Sequence, residues 1–174
     1  MSNGKAGSNT RPENDRIMTP PILAKFCVES LSFHFLDTDT FLEPCKGGGA
    51  FYDLLPENKQ WCEIQEGKDF FDYNKKVSWI ITNPPYSIYE PFLDHAMSLA
   101  DNVVFLVPIS KIWTSLRRIK KIEHYGGIRR FHVFENGARS FGFPFGFPMC
   151  LVWFKRGYKS PPEFTGLLNQ VSET

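Results

Sequence analysis

No apolar run in this 174-residue chain approaches the ~20 residues that a bilayer-spanning helix needs. The N-terminus, M-S-N-G-K-A-G-S-N-T-R-P-E-N-D-R, lacks the apolar stretch of a signal peptide and reads as a flexible tail over residues 1–16. A cytoplasmic location is the expectation, in keeping with the cysteine pattern. Cysteine is scarce. Cys27, Cys45, Cys62 and Cys150 are scattered, with no C-x-x-C pair and no histidine at ligand spacing, so no metal site is expected and the thiols read as reduced and buried. There is no internal repeat and no G-x-x-x-x-G-K-[ST] turn, which disfavours ATP. A hydrophobic content of 42% is enough for a packed core and excludes a disordered or fibrous chain. The length suits one domain, predicted over residues 17–160, with a tail at 161–174.

The net charge of +1 hides a split. Residues 1–110 carry 9 Lys/Arg against 15 Asp/Glu, whereas residues 111–139 carry 8 against 2. The basic group is Lys111, Arg117, Arg118, Lys120, Lys121, Arg129, Arg130 and Arg139. Charge of one sign concentrated in this way suits a nucleic-acid surface. It equally suits a solvated helix face, because Ile112, Leu116, Ile119 and Ile122 recur beneath it at helical spacing.

Thr19-Pro20-Pro21 predicts a helix start, running to about Phe35. Strands are predicted at 40–43, 61–64, 77–82, 103–107, 128–134 and 149–154, and helices at 91–99 and 114–124. A short helix stopped by Pro56 follows the turn Lys46-Gly47-Gly48-Gly49. Strands alternating with helices predict an α/β fold with a doubly wound, mostly parallel sheet and an antiparallel final pair. Ligands of such sheets bind beyond the carboxyl ends of the strands.

Three features fall at those ends. Glu43-Pro44-Cys45-Lys46-Gly47-Gly48-Gly49-Ala50-Phe51 follows a strand, and its glycines allow backbone to approach a ligand closely. Glu63 lies 16 residues after Gly47, where a carboxylate can receive two ribose hydroxyls, and Asp69-Phe70-Phe71 offers a further acid beside apolar rings. The apolar run Trp79-Ile80-Ile81 then stops on Asn83-Pro84-Pro85-Tyr86. The two prolines cannot extend a ladder and hold an amide and a phenol at the strand tip.

In this ordered set the chain resembles class I S-adenosylmethionine-dependent methyltransferases of the amino-methylating group, most of all DNA adenine-N6 methyltransferases. The resemblance implies a Rossmann-like seven-stranded sheet with an antiparallel terminal strand. It implies S-adenosyl-L-methionine as cofactor, held by Thr19, Pro20, Glu43, Pro44, Cys45, Gly47, Gly49, Phe51, Glu63, Asp69, Phe70 and Asn83. Asn83, Pro84, Pro85 and Tyr86 match the family's catalytic motif. An aromatic amine is a poor nucleophile until acceptors at its hydrogens localise the lone pair, a role open to the Asn83 oxygen and the Pro84 carbonyl. Tyr86 can stack on a base flipped out of double-stranded DNA. Nucleic-acid contacts are expected from Lys111, Arg117, Arg118, Lys120, Lys121, Arg139, Phe141 and Phe143. The aromatic loop with Phe141, Phe143, Phe145 and Phe147 reads either as a wall facing Tyr86 or as loop packed on the core.

The family pattern is met in minimal form. Only 13 residues separate Asp69 from Asn83 and 20 follow Phe154, too few for a target-recognition domain, so short loops, a partner subunit or self-association would read the target. The same chemistry on RNA adenine or a protein glutamine, and a non-catalytic nucleic-acid-binding module with this fold, are the alternatives.

Overall fold

Pro21 opens the first helix, its ring holding φ near the helical value where the missing N–H has no partner to lose. The computed structural model describes residues 17–144 and 146–166, so the tail predicted at 1–16 lies outside the described residues. Helix α1 spans Pro21–Glu29, ending before the predicted Phe35. Serines set its end. The Ser30 and Ser32 hydroxyls donate back to the Cys27 and Glu29 carbonyls at 2.8 and 2.9 Å, and a 3-10 turn takes over at Ser32–His34.

The sheet comprises β1 (Phe41–Glu43), β2 (Lys59–Trp61), β3 (Val77–Thr82), β4 (Ala100–Pro108), β5 (Gly126–Phe134), β6 (Met149–Arg156) and β7 (Glu163–Thr165). Helix α2, Tyr89–Leu99, joins β3 to β4, and α3, Ser110–Trp113, and α4, Leu116–Tyr125, join β4 to β5. The spatial order is β2-β1-β3-β4-β6-β5-β7. Strands β2, β1, β3 and β4 are parallel, β6 is antiparallel to β4 and β5, and β7 is parallel to β5. This is the α/β, mostly parallel seven-stranded arrangement predicted, with the antiparallel strand set between β4 and β5. Strand β7 lies in the stretch read as a tail, where Glu163 accepts from Arg129 and Arg130 of β5 at 3.3 and 3.0 Å.

Side chains along β3 and β4 alternate between two cores. Ile80, Val103 and Phe105 pack under α2 with Phe92, Leu93 and Ala96. Trp79, Ile81, Val104 and Leu106 pack under α1 with Leu23, Ala24 and Cys27. Covering both faces makes these strands continuous apolar runs, and it buries the parallel ladder as such sheets require. The indole N–H groups of Trp79 and Trp153 reach Asp39 and Asn102 at 2.7 and 3.1 Å, so neither ring leaves a donor unpaired.

Two local expectations shift. Strand β2 ends at Trp61 because Glu63 caps a 3-10 turn, Ile64–Glu66, with Gly67 closing it at φ 74°. The helix expected before Pro56 is one 3-10 turn, Tyr52–Leu54.

Candidate functional site

Because β2, β1, β3 and β4 run parallel, the chain leaves all four at one edge of the sheet. Glu43 ends β1, Glu63 follows β2, Asn83 follows β3, and Lys111 follows β4. The glycine turn after β1 is fastened from below: Lys46 N–H donates to the Cys62 carbonyl at 3.0 Å and Cys62 N–H to the Glu43 carbonyl at 2.9 Å. Gly47 and Gly49 take φ of 50° and 87°, which side-chain-bearing residues rarely adopt. A Cβ on Gly49 would stand 3.1 Å from the Asp53 carboxylate, so the turn presents bare backbone.

Two carboxylates frame this turn. Glu43, 1% exposed, accepts from Cys45 N–H at 3.0 Å. Burial pushes its carboxyl up to about 8, opposed by the Thr82 hydroxyl and the Cys45 amide and reinforced by Glu63. Glu63 accepts from Gly47 N–H at 2.9 Å and Gln65 N–H at 3.2 Å, closing the glycine turn onto the end of β2. Outside it, Lys46 and Lys68 flank the Trp61 ring at 3.9 and 3.5 Å, and Lys46 pairs with Glu66 at 3.1 Å.

Asn83 is held by the segment that precedes α1. Its amide nitrogen donates to the Ile17 carbonyl at 3.4 Å and to the Thr19 hydroxyl at 3.2 Å. A backbone carbonyl can only accept, so this pairing fixes which end of the amide is nitrogen. Both amide hydrogens are then spent, which leaves the oxygen as the end of the amide able to accept. Pro84 and Pro85 are buried and lead into a 3-10 turn, Tyr86–Ile88. The Tyr86 hydroxyl donates to the Leu106 carbonyl at 3.4 Å, and the Tyr86 carbonyl accepts from Lys111 Nζ at 2.9 Å. Both bonds hold the first residue of the turn.

Between Ile17–Thr19, Cys45–Gly48, Ala50, Phe51 and Asn83 lies a cavity of about 40 Å³. Thr19, Glu43, Pro44, Cys45, Gly47, Gly49, Phe51, Glu63 and Asn83 are thus brought to one edge, with Pro20 opening onto the neighbouring cleft beside α1. Asp69 follows the bridge that pairs Lys68 with Glu63, and it accepts from Phe71 N–H at 3.0 Å to cap the turn Phe70–Asp72. Phe70 is turned into the core. It is 1% exposed, against Phe92 and His95 at 4.6 and 4.7 Å, while Phe71 is the ring open to solvent.

The expected nucleic-acid contacts divide. Arg118 is 8% exposed and structural: it pairs with Glu90, donates to the Lys111 carbonyl and lies over the Tyr89 ring at 5.1 Å. Lys121 pairs with Glu90 at 3.3 Å and with Asp94, and Lys111 is spent on the Tyr86 carbonyl. Arg117, Lys120 and Arg139 are exposed, and the Arg139 guanidinium lies against Gly146. Phe141 and Phe143 turn inward. Phe141 packs on Phe26 and Phe134 at 5.3 and 5.8 Å, and Phe143 is 2% exposed. Asn136, Gly137 and Ala138 all adopt left-handed φ, which reverses the chain and directs this loop to the core. Phe147 stays exposed, and Phe145 lies outside the described residues.

Among the described residues no group of three or more His, Cys, Asp or Glu comes together as a metal site, and no helix is long and apolar enough to cross a membrane. No disulfide joins the four cysteines; burial pushes Cys62 up to about 11 and Cys27 and Cys150 further up. Sequence reasoning missed Ile17, Met18 and Glu90. Their roles depend on contacts across 28 to 66 residues, which no local pattern carries.

Neither family models nor curated protein sequences match the chain. Solved structures do match its fold. A proposed RNA methyltransferase of Pyrococcus horikoshii superposes with a TM-score of 0.64 at 15% identity, covering 84% of this chain and 91% of that one. A proposed class I S-adenosylmethionine-dependent methyltransferase of Listeria monocytogenes gives 0.61 at 15%, covering 91% and 68%. The M protein of the type I restriction enzyme EcoKI gives 0.61 at 12%, covering 84% and 45%. At such identities the likeness is one of fold.

Proposed function

We propose that the chain is a methyltransferase that moves a methyl group from S-adenosylmethionine to the exocyclic N6 amine of an adenine flipped out of DNA. The observation that carries this reading is the Asn83 amide, whose two hydrogens are consumed by Ile17 and Thr19. Its oxygen is therefore an oriented, uncharged acceptor beside the glycine turn, which is what an amine nucleophile needs at one of its hydrogens. The Pro84 carbonyl, next in the same stiff turn, is the second acceptor. Orientation by the two prolines and by the Lys111 bond supplies the alignment that transfer requires.

The residues present fit the cofactor. The glycine turn offers a backbone cradle that a Cβ would obstruct, and Glu63 reaches it at the end of β2. Gly47, Gly49 and Cys45 would hold its amino-acid end, Glu63 its ribose hydroxyls after yielding the Gly47 amide, and Asp69 with Phe71 its adenine side. Once bound, S-adenosylmethionine supplies an electrophilic methyl on a good leaving group, so no covalent enzyme intermediate is needed. Arg117, Lys120 and Arg139 remain for phosphates, and target choice falls to edge loops such as that bearing Phe147 or to a second subunit.

RNA adenine is the second reading. The Pyrococcus protein, described as a proposed RNA methyltransferase, is matched over 91% of its length, whereas the EcoKI M protein is matched over 45%. Incubation with labelled S-adenosylmethionine and, separately, DNA, RNA and protein decides between them. Label should appear in DNA and be recovered as N6-methyladenine. Label in RNA alone selects the second reading, and none in any substrate overturns both.

A further inference from the structure

Met18 stands between two spaces. Inside is the cavity of about 40 Å³ beneath Asn83, room for little more than water. Outside, along α1, is a cleft of about 580 Å³ lined by Pro20, Pro21, Ile22, Asp53 and Leu54. Met18, Thr19, Gly48 and Ala50 line both. The Met18 thioether lies directly on the glycine turn: a Cβ on Gly47 would be 3.6 Å from its Sδ, and one on Gly48 only 2.6 Å from its Cε. The side chain is nonetheless 60% exposed. It is unbranched, with three rotatable bonds and few neighbours to lose, so it can swing out at small cost. The chain on either side of it is tethered, because the Ile17 carbonyl and the Thr19 hydroxyl both accept from the Asn83 amide.

We propose that Met18 is the gatekeeper of the ligand chamber, its thioether closing the space between the glycine turn and Asn83 and turning aside to admit the amino-acid end of an adenosyl sulfonium or its thioether product. The inference rests on the methyltransferase reading of the site. It assigns to Met18 control over how much room the ligand has, while leaving the catalytic amide clamped. Only the side-chain-out state accepts ligand, so the apparent affinity is lowered by the fraction of time the gate is shut.

Calorimetric titration of the full chain with S-adenosylhomocysteine tests this without requiring turnover. Met18→Ala removes the obstruction and should bind about three- to tenfold more tightly than wild type. Met18→Phe, stiffer and bulkier, should bind about tenfold more weakly. Gly48→Ala forces Met18 to move, so its effect on affinity should differ between the wild-type and Met18→Ala backgrounds. If wild type binds but Met18→Ala binds equally or more weakly, or the two substitutions are additive, the gate is refuted and the site reading stands. If wild type binds neither S-adenosylhomocysteine nor S-adenosylmethionine, the site reading fails and the gate with it.

Discussion

Thr19 offers Asn83 one hydroxyl, and that contact separates positioning from ligand binding. If the hydroxyl serves to orient the amide, Thr19→Val should lower turnover about fivefold, the scale of one neutral hydrogen bond near 1 kcal/mol, with cofactor affinity unchanged. Thr19→Ser should restore it. Lost affinity with intact turnover would instead make Thr19 a cofactor contact. Glu43 is the second informative residue. Its carboxyl sits at about 8 in the folded chain, well above its ordinary value in the unfolded one, so the folded state holds a proton that the unfolded state has released. A raised carboxyl pKa favours folding at low pH, and stability is lost as pH rises from about 5 to about 8. Thermal unfolding across that range should show a decline that Glu43→Gln flattens; parallel curves would mean that Glu43 ionises without consequence for folding.

Helix α4 shows how one element can mislead when read by charge alone. Its basic residues sit on two faces. Arg118 and Lys121 turn toward α2 and meet Glu90 and Asp94, while Arg117 and Lys120 face water. The helix itself was legible, predicted over 114–124 and found at Leu116–Tyr125, where Ser115 accepts from Arg118 N–H at 3.3 Å. The partner of Arg118 was not, because Glu90 lies 28 residues away. Arg118→Ala should cost on the order of 2 kcal/mol in urea unfolding, below the value for a fully buried pair because Glu90 is partly open to water. Arg117→Ala with Lys120→Ala should leave stability within about 0.5 kcal/mol while lowering the salt slope of DNA binding by about 2. Stability effects of the reverse order would place the wrong cations in the core. The aromatic loop makes the same point: its composition allowed a substrate wall or a core plug, and three successive left-handed residues select the plug for Phe141 and Phe143.

At the scale of the molecule, the parallel sheet was legible because its central strands are buried on both faces and so read as unbroken apolar runs. Strand β3 spans the predicted 77–82. Strand β7 was not legible: Glu163-Phe164-Thr165 is short and largely exposed, and it is a strand only because β5 offers it an edge. The site divides the same way. Glycine turn, acid and Asn83 could be placed at strand ends from sequence order, but the clamp that orients the Asn83 oxygen comes from a segment 64 to 66 residues away. The central claim is that this oxygen activates an amine for methylation. The measurement that tests it is single-turnover methyl transfer to adenine-containing DNA, run beside S-adenosylhomocysteine titration, for wild type and Asn83→Ala. Asn83→Ala should slow transfer about 100- to 1,000-fold and alter ligand affinity by less than about twofold. Transfer at a near wild-type rate by Asn83→Ala would contradict the claim.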